Sequence, residues 1–176
     1  MSTGHEPAPK TWSGRFFEDL EVGDVHRSRL GRTISEVDNT WFTQLTCNTN
    51  QVHFNRVFAE RTRFGQLLVN SCLTLSIVVG LSVPDTSENA TANLSWESIS
   101  LPNPVFVGDT LRAESEVLDR RASRSRPTVG IVGVRTRGIN QRHEVVCEYR
   151  RSFMVYTRDA PEVSSSFPGT ETAWAV

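Results

Sequence analysis

The sequence predicts an α+β domain in which an antiparallel sheet wraps around one apolar helix, and three observations carry that prediction. No charge lies between Phe64 and Pro84, so this stretch reads as a helix buried in the middle of a domain. Helix signals collect before and within it. Four runs of alternating or β-branched character come after it, at Leu94 to Ile99, Thr110 to Leu118, Thr128 to Arg137 and Glu144 to Tyr156.

Each element has its own local reason. The turn Glu21-Val22-Gly23-Asp24 leads into a strand expected over Asp24 to Thr33. Ser35, with Asp38 three residues on, has capping-box spacing and opens a helix through about Leu45. A short second helix fits Phe54 to Arg61, and the buried helix fits Ser71 to Leu81 behind the N-cap residue Asn70. In the Thr110 to Leu118 run, Leu111, Ala113, Ser115 and Val117 share one face, while Arg112, Glu114 and Glu116 share the other. Turns are marked by Pro102-Asn103-Pro104, Val107-Gly108-Asp109 and Gly138-Ile139-Asn140. Residues 1–14 and 159–176 are rich in Pro, Ser, Gly and Thr without apolar periodicity, so both are expected to be unstructured tails around one domain spanning 15–158.

Composition removes several function classes. Lys and Arg total 19 against 20 acidic residues among 176, a balance that offers no electrostatic basis for nucleic acid or an anionic membrane. The uncharged stretch contains Gln66, Asn70, Ser71, Thr74, Ser76 and Ser82, too many polar groups for a membrane span. Cys47, Cys72 and Cys147 are odd in number and form no CxxC pair, which argues against a zinc site and for a reducing compartment. Met1 to Gly14 has no apolar core of a secretory signal, and cytoplasmic placement is expected.

Four segments carry a resemblance. They are Asn48-Thr49-Asn50-Gln51-Val52-His53, then Asn70-Ser71-Cys72, then Pro104 to Leu111, then Ser123-Arg124-Ser125-Arg126-Pro127. In that order and spacing they resemble the MaoC-like hydratases and dehydratases of the hotdog fold, over most of Arg15 to Arg158. The family's signature reads Asp-x-Asn-Pro-x-His, so Asn48 stands where the family has Asp and Gln51 where it has Pro. The overall texture is similar to the branch containing itaconyl-CoA and mesaconyl-CoA hydratases.

The resemblance implies a hydratase or dehydratase acting at the 2,3-position of an acyl thioester. Such a reaction needs a base for water, a proton for C2 and a holder for the enolate oxygen. Histidine suits the first task because it titrates near neutrality. His53 fills the family's histidine position, Asn48 would orient the water, and the backbone N–H of Ser71 at a helix N-terminus would hold the oxyanion. An amide is not a useful acid, so His53 either moves both protons or shares the work, with Asp38, Glu60 and Cys47 nearby in sequence. Asn50 and Asn70 are expected to line the substrate site. Arg124 and Arg126 form, with Arg120 and Arg121, the one dense basic patch, suited to the phosphates of coenzyme A or to an acidic carrier protein.

No cofactor is expected beyond coenzyme A or phosphopantetheine carried by the substrate, and no metal. The resemblance also implies a homodimer, because single hotdog domains commonly pair their sheets. Two other functions fit the same domain. One is a hotdog thioesterase, although no carboxylate lies between Gln66 and Ser82. The other is a non-catalytic acyl-thioester-binding subunit, for which loss of the acid at position 48 would be a mark.

Overall fold

A computed structural model describes residues 14–163. Strands β1 (Val25–Arg27) and β2 (Arg32–Thr33) precede helices α1 (Glu36–Leu45), α2 (Arg56–Glu60) and α3 (Ser71–Thr86). Four long strands follow: β3 (Ala90–Ser100), β4 (Thr110–Ala122), β5 (Val129–Ile139) and β6 (Val145–Tyr156). All pair antiparallel in the order β1-β4-β5-β6-β3, and β2 also pairs with β4.

The sheet forms because its strands alternate as a half-buried sheet requires. In β4, Leu111, Ala113, Ser115 and Val117 are buried. On the opposite face Glu114 pairs with Arg27 and Arg137, and Glu116 with Arg135. Helix α3 crosses the apolar face, and Thr74, Val78, Ser82 and Thr86 form its buried stripe at four-residue spacing. Val78 seats the middle of the helix against β5, where a β-carbon on Gly138 would lie 2.3 Å from its Cγ2. Around that contact Ile34, Val69, Leu73, Val105, Leu111, Val146 and Tyr149 close one core. Each such side chain stabilises the fold by about 1.5–3 kcal/mol through burial. Leu20, Val117, Val132, Val134, Phe153 and Val155 form a second core.

Several sequence expectations are refined. The strand expected over 24–33 is two strands, because Ser28 turns inward: its N–H donates to Ala113 O at 2.8 Å while its Oγ accepts from Ala113 N–H at 2.9 Å. The short helix is Arg56–Glu60, started by the Asn55 side chain accepting from Phe58 N–H. Helix α3 runs five residues past Leu81, with Pro84 in its last turn. It is also not buried all round. Gly80 and Pro84 are exposed and Ile77 and Leu81 half-buried, since one sheet covers one side of a helix. These four residues line an open cavity of about 740 Å³ beneath Arg29, Leu30 and Arg32. The first edge of the expected C-terminal tail is ordered: Ala160 is buried and Pro161–Val163 form a 3-10 turn. The rest of both expected tails, 1–13 and 164–176, lies outside the described residues.

Helix α1 packs Phe42 against the first core but also turns polar side chains inward and apolar ones outward. Its inner face buries Asn39 and Thr43, while Val37, Trp41 and Leu45 on the outer face are 64%, 77% and 82% exposed. Among the described residues no helix is long and apolar enough to cross a membrane.

Candidate active site

The capping box expected at Ser35 is formed, with Ser35 Oγ accepting from Asp38 N–H at 3.1 Å and Ser35 N–H donating to Asp38 Oδ2 at 2.8 Å. Those bonds from Ser35 hold the Asp38 carboxyl below its ordinary range, and Arg32 adds to the effect. Asp38 is thereby committed to starting the helix. At the other end of α1 the chain reverses through Cys47, whose φ of 55° lies in the left-handed region. Cys47 N–H donates to Gln44 O and Asn48 N–H to Thr43 O, both at 3.0 Å. This double closure is usual where a helix ends on a left-handed residue, normally glycine. It delivers Asn48 directly beneath the helix terminus.

The following turn is built by its own asparagines. Asn48 Oδ1 accepts from Asn50 N–H at 2.9 Å, and Asn50 Oδ1 accepts from Val52 N–H at 3.3 Å. A 3-10 turn over Gln51–His53 results. A backbone N–H can only donate, so the atom of Asn48 facing Asn50 is its oxygen and its NH₂ points the other way.

His53 closes this turn and is 7% exposed. Its Nδ1 lies 2.9 Å from the carbonyl oxygen of Leu68. A carbonyl cannot donate, so Nδ1 carries the proton and Nε2 carries the lone pair of the neutral ring. That tautomer is the one a base needs. Leu68 is itself fixed: Leu68 N–H donates to Val52 O at 3.2 Å, and Leu68 bridges to Phe106.

Two residues after Leu68 the chain enters α3. Asn70 is its N-cap, with Oδ1 accepting from Cys72 N–H at 3.0 Å and Nδ2 donating to Thr43 Oγ1 at 3.3 Å. Asn70 is buried, and both ends of its side chain are engaged within the chain. Ser71 is exposed, and its N–H has no acceptor among the described residues. An unpaired donor at the positive end of a sixteen-residue helix is suited to developing negative charge. Ser71 and Leu68 line a cleft of about 240 Å³ with Phe64, Thr74 and Pro104.

His53, Asn48, Asn50, Asn70 and Ser71 are therefore gathered around the α1 terminus and the start of α3. Arg124 and Arg126 are not. They occupy the turn between β4 and β5, whereas the site adjoins the segment just before β4, through Val69 N–H to Val105 O and the Leu68–Phe106 bridge. The length of β4, about 40 Å at roughly 3.3 Å per residue, separates them within one chain. Glu60 is exposed, and Cys47 is exposed on its turn. Of the other histidines, His26 lies in β1 and His143 in the turn before β6.

A family model for the MaoC like domain matches residues 19–138. This chain belongs to the MaoC-like domain family. It is 37% identical over 161 residues to a mesaconyl-CoA hydratase of Cereibacter sphaeroides, an alignment covering 90% of this chain and 47% of that protein. The crystal structure of a MaoC domain protein from Chloroflexus aurantiacus superposes with a TM-score of 0.81 at 34% identity, over 96% of this chain and 46% of that one. A Mycobacterium tuberculosis protein described as a double hotdog fold superposes with a TM-score of 0.75 at 22% identity, over 92% of this chain and 53% of that one. The fold is thus the hotdog, as the sequence predicts. The chain spans about half the length of the curated relatives it matches first.

Within this MaoC-like domain, sequence reasoning missed two groups that hold the site together. One is the Leu68 carbonyl, a backbone atom with no residue-type signal. The other is Asn39, whose Nδ2 donates to His53 O at 2.7 Å and to Leu68 O at 3.0 Å, and whose Oδ1 accepts from Asn70 N–H at 2.8 Å. Its only trace in the sequence is the four-residue spacing to Thr43, which is equally the pattern of a solvated helix face.

Proposed function

We propose that this chain adds water to, and removes water from, the 2,3-position of an acyl thioester, with a short branched or dicarboxylic acyl group on coenzyme A. The observation that carries the reading is the His53 ring, held by Leu68 O as the Nδ1–H tautomer beside a helix start whose Ser71 N–H is open. The mesaconyl-CoA hydratase relative, at 37% identity, supports the acyl class.

In the hydration direction, His53 Nε2 takes a proton from water as the oxygen bonds to C3. The C2=C3 electron pair moves to C1–C2, and the thioester carbonyl becomes an enolate oxygen that accepts from Ser71 N–H. His53 then returns the proton from Nε2 to C2. Water has been added and the ring is restored, so a single group handles both transfers and Asn48 needs no acidity. Its NH₂, directed away from Asn50, donates to the water oxygen and orients it. The reading calls for no metal and no cofactor other than the handle of the substrate.

A homodimer acting in the cytoplasm completes the reading. The edge strand β3 leaves Leu94 and Ile99 50% and 46% exposed, and Val37, Trp41 and Leu45 line α1 without cover.

The test is to incubate the purified chain with mesaconyl-type and crotonyl-type thioesters and follow the enoyl-thioester absorbance, with a thiol trap present. Loss of the enoyl signal without released thiol supports hydration. Released thiol replaces this reading with a thioesterase, and binding without turnover replaces it with a binding subunit.

A further inference from the structure

The middle of α1 holds a buried carboxamide where a core position would ordinarily be apolar. Asn39 is fully buried, and an amide there is costly unless every polar atom is paired. Its pairing spans both halves of the candidate site. One Nδ2 hydrogen goes to the carbonyl of His53 and the other to the carbonyl of Leu68, while Oδ1 takes the N–H of Asn70. The atom assignment is fixed, because carbonyls only accept and a backbone N–H only donates.

The Leu68 oxygen consequently receives two donors, Asn39 Nδ2 and His53 Nδ1. A carbonyl oxygen has two lone pairs, so both bonds can form, and the first constrains where the second can lie. On the far side, the Asn70 N–H held by Asn39 belongs to the residue immediately before the Ser71 donor. One side chain on α1 thus ties the base and the oxyanion donor to a common point. Neither the Asn48 turn nor the α3 cap does this by itself.

We propose that Asn39 is a positioning residue, setting the separation and mutual orientation of the His53 ring and the Ser71 N–H without touching substrate. The proposal rests on the hydratase reading above. Misplacing reacting groups by about 1 Å costs on the order of a hundredfold in rate, so the signature is a loss in kcat with little change in KM.

Asn39→Asp is the informative variant because it keeps the shape and makes the bonding depend on pH. An ionised carboxylate would face two carbonyl oxygens with no hydrogen to give, whereas the protonated acid restores one of the two donors. The expected result at neutral pH is a kcat lower by about 10–100-fold with KM within about threefold. The variant-to-wild-type ratio of kcat should rise as pH falls and the introduced carboxyl is protonated. Thermal unfolding measured alongside corrects each rate to the folded fraction. A ratio that stays flat with pH after that correction, or a kcat per folded molecule equal to wild type, overturns the proposal.

Should the variant not fold, side-chain amide exchange in the wild-type protein decides. Slow exchange of both Asn39 Nδ2 protons together with an Nδ1–H tautomer at His53 supports it, and fast exchange or an Nε2–H tautomer overturns it. A wild-type chain that hydrates no enoyl thioester removes the hydratase reading itself, which is a different result from active wild type with an unaffected Asn39 variant.

Discussion

The Nδ1 of His53 lies 2.9 Å from the carbonyl oxygen of Leu68, fifteen residues further along the chain. That contact joins the turn after α1 to the segment entering α3, and it decides which nitrogen of the ring is left with a lone pair. His53→Ala is expected to lower kcat for enoyl-thioester hydration by about 10²–10⁴-fold. Far-UV circular dichroism should be unchanged, since Leu68 O keeps the Asn39 donor. Wild-type turnover by this variant would remove His53 from the mechanism.

Asn48→Asp tests the amide at the acid's position. One carboxylate oxygen can still accept from Asn50 N–H, so the turn is expected to persist. The second oxygen brings an ionisable group to where the NH₂ now points. The pH profile of kcat/KM should therefore gain an ionisation that the wild-type profile lacks. Superimposable profiles would place Asn48 away from the substrate.

Cys47→Gly addresses the turn rather than the chemistry. At φ 55° a side chain with a β-carbon is strained by about 1–2 kcal/mol, part of which glycine returns through its greater unfolded freedom. A net gain of about 0.5–1 kcal/mol is expected, seen as a higher urea midpoint at constant slope. A lower midpoint would mean that the Cys47 thiol makes contacts that outweigh the backbone strain.

Ile99→Lys places a charge on the exposed side of the edge strand β3. If that edge joins two copies, as proposed, sedimentation should change from a dimer to a monomer. An unchanged dimer would locate the interface elsewhere, with the α1 face of Val37, Trp41 and Leu45 next to be substituted.

Much of this protein is legible in its sequence. The alternation of Leu111, Ala113, Ser115 and Val117 marks a buried strand face because side chains on a strand have period two. The Ser35–Asp38 spacing marks a helix start because it pairs donors that the helix leaves open. The break of the first strand was not legible. It depends on Ser28 exchanging bonds with Ala113, eighty-five residues away. Nor was the open flank of α3, because an uncharged run does not say how many of its sides the rest of the chain can reach.

The sequence by itself determined the family, the order of the main helices and long strands, and the residue types at the candidate site. His53, Asn48, Asn70 and Ser71 are local motif positions, each set by neighbours within a few residues. Tertiary structure decided what those groups can do. The proton sits on Nδ1 of His53 only because Leu68 O is brought to it, and Asn39 reaches His53, Leu68 and Asn70 only because α1 packs across both segments. It also separated Arg124 and Arg126 from the site by the length of β4. Hydrogen bonds are short and directional, so they specify a site only after distant backbone has been brought within about 3 Å.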